Sequence, residues 1–167
     1  MTCPDASGPL GDASVAARLA AGRLEDVPPE ALAAGLRLPL HDYLGLQLIG
    51  LRPVVVELAL SERTRSLAGS LHGGAGATLV DVASNIAVAT SGEVDVTRCT
   101  LLTGRLEINY RAAPEGDRVS ARAEVIDFAR RRARVECAVS DTAQRRIATA
   151  LVTTLVLPGG GFAEAAC

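Results

Sequence analysis

The sequence predicts an α+β fold in which one antiparallel β-sheet wraps a long central helix, with a helical N-terminal extension in front. Three observations lead there. The 167 residues are 49% hydrophobic but hold two Phe, two Tyr and no Trp, so the core must be built from Val, Leu, Ile and Ala, a composition rich in strand-favouring β-branched residues. The stretch "AGATLVDVASNIAVAT", Ala75 to Thr90, is apolar at helical spacing on nearly every side, and such a helix belongs inside a fold. The segments after it alternate apolar and polar residues, and no connection between them is long enough for a parallel crossover.

Residues 1–40 form the N-terminal extension: a Pro-, Gly- and Asp-containing start, then "SVAARLAAGRL" and "PPEALAAGL", both of helical composition, the second with Pro where a first helical turn accepts it. Residues 41–158 are the main domain. Its opening, "LGLQLIGLRPVVVELAL", reads as two strands joined by a tight connection. The central helix runs from Gly74 to about Thr90. "GRLEINY" then alternates Leu106, Ile108 and Tyr110 against Arg105, Glu107 and Asn109, and "APEGD" turns the chain. "RVSARAEVIDF" places Val119, Ala121, Ala123 and Val125 on one face, "RRARVECAVSD" does the same with Ala133, Val135, Cys137 and Val139, and "RRIATALVTTLVL" closes the sheet before a tail over 159–167.

A net charge of −2 with Arg scattered among Asp and Glu supplies no field for a phosphate backbone, so nucleic acid is not an expected partner. The four cysteines, at 3, 99, 137 and 167, are too far apart for a CxxC or zinc pattern, and reduced thiols in a cytoplasm fit best. No metal and no cofactor are expected. The start of the chain lacks a basic segment and an apolar h-region, and no apolar run approaches the roughly 18 to 20 residues of a membrane span, so a soluble, unexported protein is expected.

One charged residue stands in the central helix, Asp81. On a helical wheel Thr78, Asp81, Ser84 and Asn85 share about 120 degrees of arc, the helix's polar sector. Taking a lone carboxylate from water costs several kcal/mol unless it is bonded, paired or protonated, and this helix holds no Lys or Arg. Asp81 is therefore either a general base or nucleophile in a partly dry site, or a structural carboxylate satisfied by backbone amides or a partner chain. "HGG" before the helix, His72 to Gly74, offers the complement: glycines permit close approach, and amides at the positive helix end form an oxyanion hole. "GGAGAT" lacks the third glycine of a dinucleotide loop, and no GxSxG, P-loop or HExxH is present.

These residues resemble the hotdog-fold acyl-CoA thioesterases, in particular the group typified by phenylacetyl-CoA and 4-hydroxybenzoyl-CoA thioesterases. There "HGG" leads into the central helix and an acid follows nine residues after the His, as His72, Gly73, Gly74 and Asp81 do here. The likeness runs from "LGLQL" at 45 to "LVLP" at 158 and includes "INYRAAPEGD". It implies hydrolysis of acyl-CoA thioesters, with an aromatic or medium-chain acyl group, to the free acid and coenzyme A. It further implies that the Gly73 amide polarises the thioester carbonyl and Asp81 activates water or attacks directly. Thr103 stands where several members hold the water with a hydroxyl, and Ser66 where the family often has Asn or Gln as a second carbonyl donor. His72, Gly74 and Asn85 complete the expected substrate-binding set. Because coenzyme A carries phosphates, Arg131 and Arg132 of "ARRRAR" are expected phosphate contacts, set against a reading as a solvated strand edge.

Gly73 and Asp81 lie eight residues apart, about 12 Å along one helix, too far for both to reach one thioester. If both act on one substrate they come from different protomers, so a homodimer is expected, with a dimer of dimers forming a homotetramer beyond it. Two competing readings use the same fold: a non-catalytic acyl-CoA-binding sensor or scaffold, and a hydratase, the latter disfavoured because no hydratase-like Asp and His pair is present.

Overall fold

The computed structural model describes residues 38–96 and 98–159. The N-terminal extension expected over 1–40 lies outside the described residues apart from its last three, and so does the tail from residue 160 onward. The elements are α1 (Pro39–Leu44), β1 (Leu46–Leu51), β2 (Val54–Ala59), α2 (Gly73–Ala89), β3 (Cys99–Tyr110), β4 (Arg118–Ala129), β5 (Arg132–Asp141) and β6 (Arg146–Pro158). The six strands form one antiparallel sheet in the order β1-β2-β4-β5-β6-β3.

α2 lies in the concave face of that sheet and packs against β2, β3, β4, β5 and β6. Leu79, Val80, Ala83 and Val88 are fully buried there, and Leu58, Val135, Val152 and Ile147 meet them from the sheet. Each of the Leu, Val and Ile side chains contributes about 1.5–3 kcal/mol over leaving it in water, which makes this seam the main source of cohesion in a chain with few aromatics. The inward positions expected on β4 and β5 all face the core: Val119, Ala121, Ala123, Ala133, Val135, Cys137 and Val139 are buried, and Val125 is half-buried.

Two elements differ from expectation. α1 is a helical turn where the sequence predicts direct entry into a strand; Pro39 sits in its first turn, and Gly45 at φ 74° ends it in the left-handed region. β3 begins at Cys99, several residues before "GRLEINY". An extra residue between Thr103 and Arg105 breaks the register against β6, because Thr103 pairs with Thr154 while Arg105 pairs with Thr153. Inward positions are thus odd-numbered before Gly104, at Leu101 and Thr103, and even-numbered after it, at Leu106 and Ile108. That β-bulge hides the strand from a search for unbroken alternation.

The last turn of the sheet is structural. Asp141, buried at the end of β5, accepts from the backbone N–H groups of Ala143, Arg145 and Glu115 and from Arg145 Nε. Burial pushes its carboxyl up, but the Glu115 and Arg145 hydrogen bonds and the Arg145 charge outweigh that and hold it below the ordinary value.

Candidate functional site

The site begins where the loop from β2 turns into α2. Thr64, buried in that loop, donates through Oγ1 to Ala59 O at 2.7 Å and accepts through its carbonyl from the His72 N–H at 2.8 Å. His72 is the N-cap of α2: its Nδ1 accepts from the Gly74 N–H at 3.0 Å. Gly73, the first helical residue, has no intrahelical acceptor for its own N–H by geometry, and none of the described residues takes it. That amide therefore stands exposed at the positive end of the helix dipole. Tyr110, at the end of β3, donates from its hydroxyl to the Gly73 carbonyl at 2.6 Å.

Two turns further along, a second cluster surrounds Asp81. Thr103 Oγ1 donates to Asp81 Oδ1 at 2.5 Å. Asn85 Nδ2 donates to Thr103 Oγ1 at 2.9 Å, and its other proton lies between the Asp81 carbonyl at 3.1 Å and Oδ1 at 3.3 Å. Asn85 Oδ1 in turn accepts from Thr154 Oγ1 at 3.3 Å. Three elements, α2, β3 and β6, thus build one directed chain from Thr154 through Asn85 and Thr103 to a single carboxylate oxygen. The other oxygen, Oδ2, has no partner among the described residues, and no cation pairs with Asp81 there. The side chain is half-buried.

The structure therefore brings Asp81, Asn85 and Thr103 together and places His72, Gly73 and Gly74 at the helix entrance. Asn85 spends its amide protons inside the cluster, where it orients Thr103 and Asp81. Ser66 sits half-buried in the loop, its backbone N–H bonded to Ser70 O at 2.7 Å, and its hydroxyl has no partner among the described residues. Arg131 occupies the β4–β5 turn, with Arg130 and Arg131 both in the left-handed region at φ 47° and 67°. Arg132 neighbours the inward Ala133, so its side chain points to the outer face of the sheet, away from α2.

Sequence reasoning missed two participants. Thr154 is buried among the apolar residues of β6 and reads as ordinary alternation, and the alternation of "GRLEINY" puts Tyr110 with the inward residues of β3, whereas it stands half exposed at the strand end. An open groove of about 560 Å³ lies at the other end of α2, between Leu51, Pro53, Ala87, Thr90, Val125 and Phe128; none of the expected site residues lines it. Among the described residues no group of three or more His, Cys, Asp or Glu is placed to hold a metal ion, and no helix is long and apolar enough to cross a membrane.

Comparison with known proteins gives the same outline. The model of the thioesterase superfamily matches residues 68–148, a span that holds His72, Gly73, Asp81, Asn85, Thr103 and Tyr110. No curated protein matches the chain. Among solved structures, a glutamine-to-alanine variant of a thioesterase from Pseudomonas aeruginosa is 22% identical over 80% of this chain and 96% of its own, with a TM-score of 0.72. A thioesterase from Haemophilus influenzae is 18% identical over 79% of this chain and 92% of its own, with a TM-score of 0.71. A protein from Bacillus halodurans, solved with CoA, is 21% identical over 86% of this chain and 89% of its own, with a TM-score of 0.65. The described residues thus adopt the hotdog fold of these thioesterase structures, and the stretch that carries the site matches the thioesterase superfamily.

Proposed function

We propose that the protein hydrolyses acyl-CoA thioesters to the free acid and coenzyme A. The observation that carries this reading is the directed chain from Thr154 to Asp81, which holds one oxygen of the helix's single charged side chain and leaves the other without a partner among the described residues. In the proposed reaction Asp81 Oδ2 takes a proton from water, and the hydroxide attacks the thioester carbonyl. The oxyanion that forms is held by a Gly73 N–H, and the tetrahedral intermediate collapses with departure of the CoA thiolate. Direct attack by Asp81, giving a short-lived anhydride that water then opens, uses the same groups. Neither route needs a group beyond the side chains and main chain named.

Gly73 and Asp81 stand at the start and middle of one helix, eight residues or about 12 Å apart, so the reading requires Asp81 of one protomer to face the partner's Gly73. Support comes from β3: this twelve-residue strand lies at the sheet edge beside Asp81, and an edge of that length invites pairing with a second copy. The CoA of the Bacillus halodurans neighbour supports the choice of thioester, and the proposed acyl groups are aromatic or medium-chain, in a cytoplasmic setting. Arg131, at its hairpin tip, is the proposed contact for a CoA phosphate; Arg132 could reach one only from the outer face of the sheet.

The test is thiol release from a panel of acyl-CoAs by wild type and Asp81→Asn. Loss of the base is expected to lower kcat at least a hundredfold while the circular dichroism spectrum and elution volume stay unchanged. A folded Asp81→Asn protein with wild-type turnover would remove Asp81 from the mechanism.

A further inference from the structure

We infer that Tyr110 is a positioning residue for the oxyanion donor: with His72 it clamps the Gly73–Gly74 peptide, so that the Gly73 N–H stays aimed at the substrate carbonyl. This rests on the reading above, in which that N–H holds the oxyanion.

The argument starts from the glycines. A Cβ built on Gly73 would meet nothing within 4 Å, so packing does not hold this residue, and a glycine pair has more backbone freedom than any other. Two hydrogen bonds act on the one peptide unit that joins Gly73 to Gly74. Its carbonyl accepts from Tyr110 Oη at 2.6 Å, and its N–H donates to His72 Nδ1 at 3.0 Å. The Gly73 N–H sits on the preceding peptide unit, whose carbonyl, that of His72, accepts from the Gly76 N–H at 3.0 Å. With the plane after it tied by Tyr110 and His72, the glycine hinge between the two planes is held on both sides, and the Gly73 N–H, the donor left over, keeps its direction.

A second feature points the same way. Gly76 is buried in the first turn of α2, where alanine would be favoured by about 1 kcal/mol on helix propensity. A Cβ there would stand 2.8 Å from Tyr110 Oη and 3.2 Å from Tyr110 Cε1. The absent side chain is the space the phenol occupies on its way to Gly73. Burial raises the phenol above its ordinary pKa of 10.0, so it remains a donor throughout the range in which thioesters are assayed. Tyr110 and Thr103 also share β3, so one strand steadies both the donor and the carboxylate.

The experiment uses full-length wild type, Tyr110→Phe and Gly76→Ala. Tyr110→Phe keeps the ring and removes the hydroxyl; Gly76→Ala keeps the hydroxyl and displaces it. Both are expected to lower kcat for phenylacetyl-CoA about tenfold with KM within twofold, a loss smaller than that of a whole oxyanion donor because the amide is loosened and not deleted. A ketone analogue of phenylacetyl-CoA, with CH2 in place of sulfur and 13C at the carbonyl, reads the donor directly and does not depend on Asp81. Its carbonyl resonance is expected to move downfield on binding wild type and to move less than half as far on either variant. Equal shifts and equal kcat in all three proteins would overturn the role of Tyr110 while leaving the Gly73 donor in place. No shift on wild type would overturn the donor reading, and the inference with it.

Discussion

Replacing Gly76 with alanine sets two effects of similar size against each other. On propensity alone, alanine in a helix interior is worth about 1 kcal/mol over glycine. Against this, the new Cβ would lie 2.8 Å from Tyr110 Oη and 3.2 Å from Leu71 Cδ2. The helix backbone is held by its own hydrogen bonds, so the tyrosine must swing aside, and it then loses the bond to the Gly73 carbonyl. A bond of this kind contributes a net ~0.5–1.5 kcal/mol. The two nearly cancel, so Gly76→Ala should leave stability within about 0.5 kcal/mol of wild type, or within about 2 °C in Tm for a chain of this size. In a Tyr110→Ala background the two tyrosine contacts are gone and Leu71 Cδ2 at 3.2 Å is the close neighbour that stays, a flexible side-chain end that can give way, so the same substitution should recover about 1 kcal/mol. Urea denaturation of the four proteins at one fixed concentration closes the double-mutant cycle. A stabilisation of about 1 kcal/mol in both backgrounds would mean no coupling, and would show that the phenol does not fill the space over Gly76.

Two further outcomes follow from buried groups outside the site. Asp141→Asn should lower Tm by several degrees at neutral pH, because an amide cannot accept from the N–H groups of Glu115 and Arg145 as the carboxylate does, and its own NH2 would face them. Since the folded carboxyl lies below the ordinary range, its contribution is present above the unfolded pKa of about 3.9 and lost as pH falls through the lower folded value. Melting curves of wild type and variant should converge in acid; a gap that persists unchanged at pH 2 would contradict this account. Burial pushes the Cys137 thiol up to about 12, whereas Cys99 is half-buried at the start of β3. In a Cys3→Ser, Cys167→Ser background, a disulfide reagent at pH 8 should label Cys99 and leave Cys137 untouched until the chain unfolds. Labelling of both at one rate would refute the burial assigned to Cys137.

The legible parts of this protein were those written in a repeating period. The central helix, β4, β5 and β6 were visible because their inward residues recur at a regular step over most of their length, and Asp81 stood out as a charge that such a helix has no ordinary use for. What stayed hidden depends on chain segments distant in sequence. Thr154 joins the site because β6 pairs with β3 in one register, and nothing in "ALVTTLVL" marks which of its threonines will face Asn85. The start of β3 was lost to the bulge at Gly104, and α1 to the few residues over which its caps act. Tyr110 looked like a core aromatic; its hydroxyl acquires meaning only once the end of β3 is laid against the first turn of α2.

The placing of Thr103 and Tyr110 on one edge strand has a mechanical consequence. Both are rungs of the same ladder against β6, so the strand cannot slide by one step without releasing the carboxylate and the helix entrance together. A slip of the whole strand would thus disturb both ends of the proposed site together, where a change to the Tyr110 hydroxyl alone disturbs one. Whatever grips its outer border would stiffen the surroundings of Asp81 and of Gly73 at once.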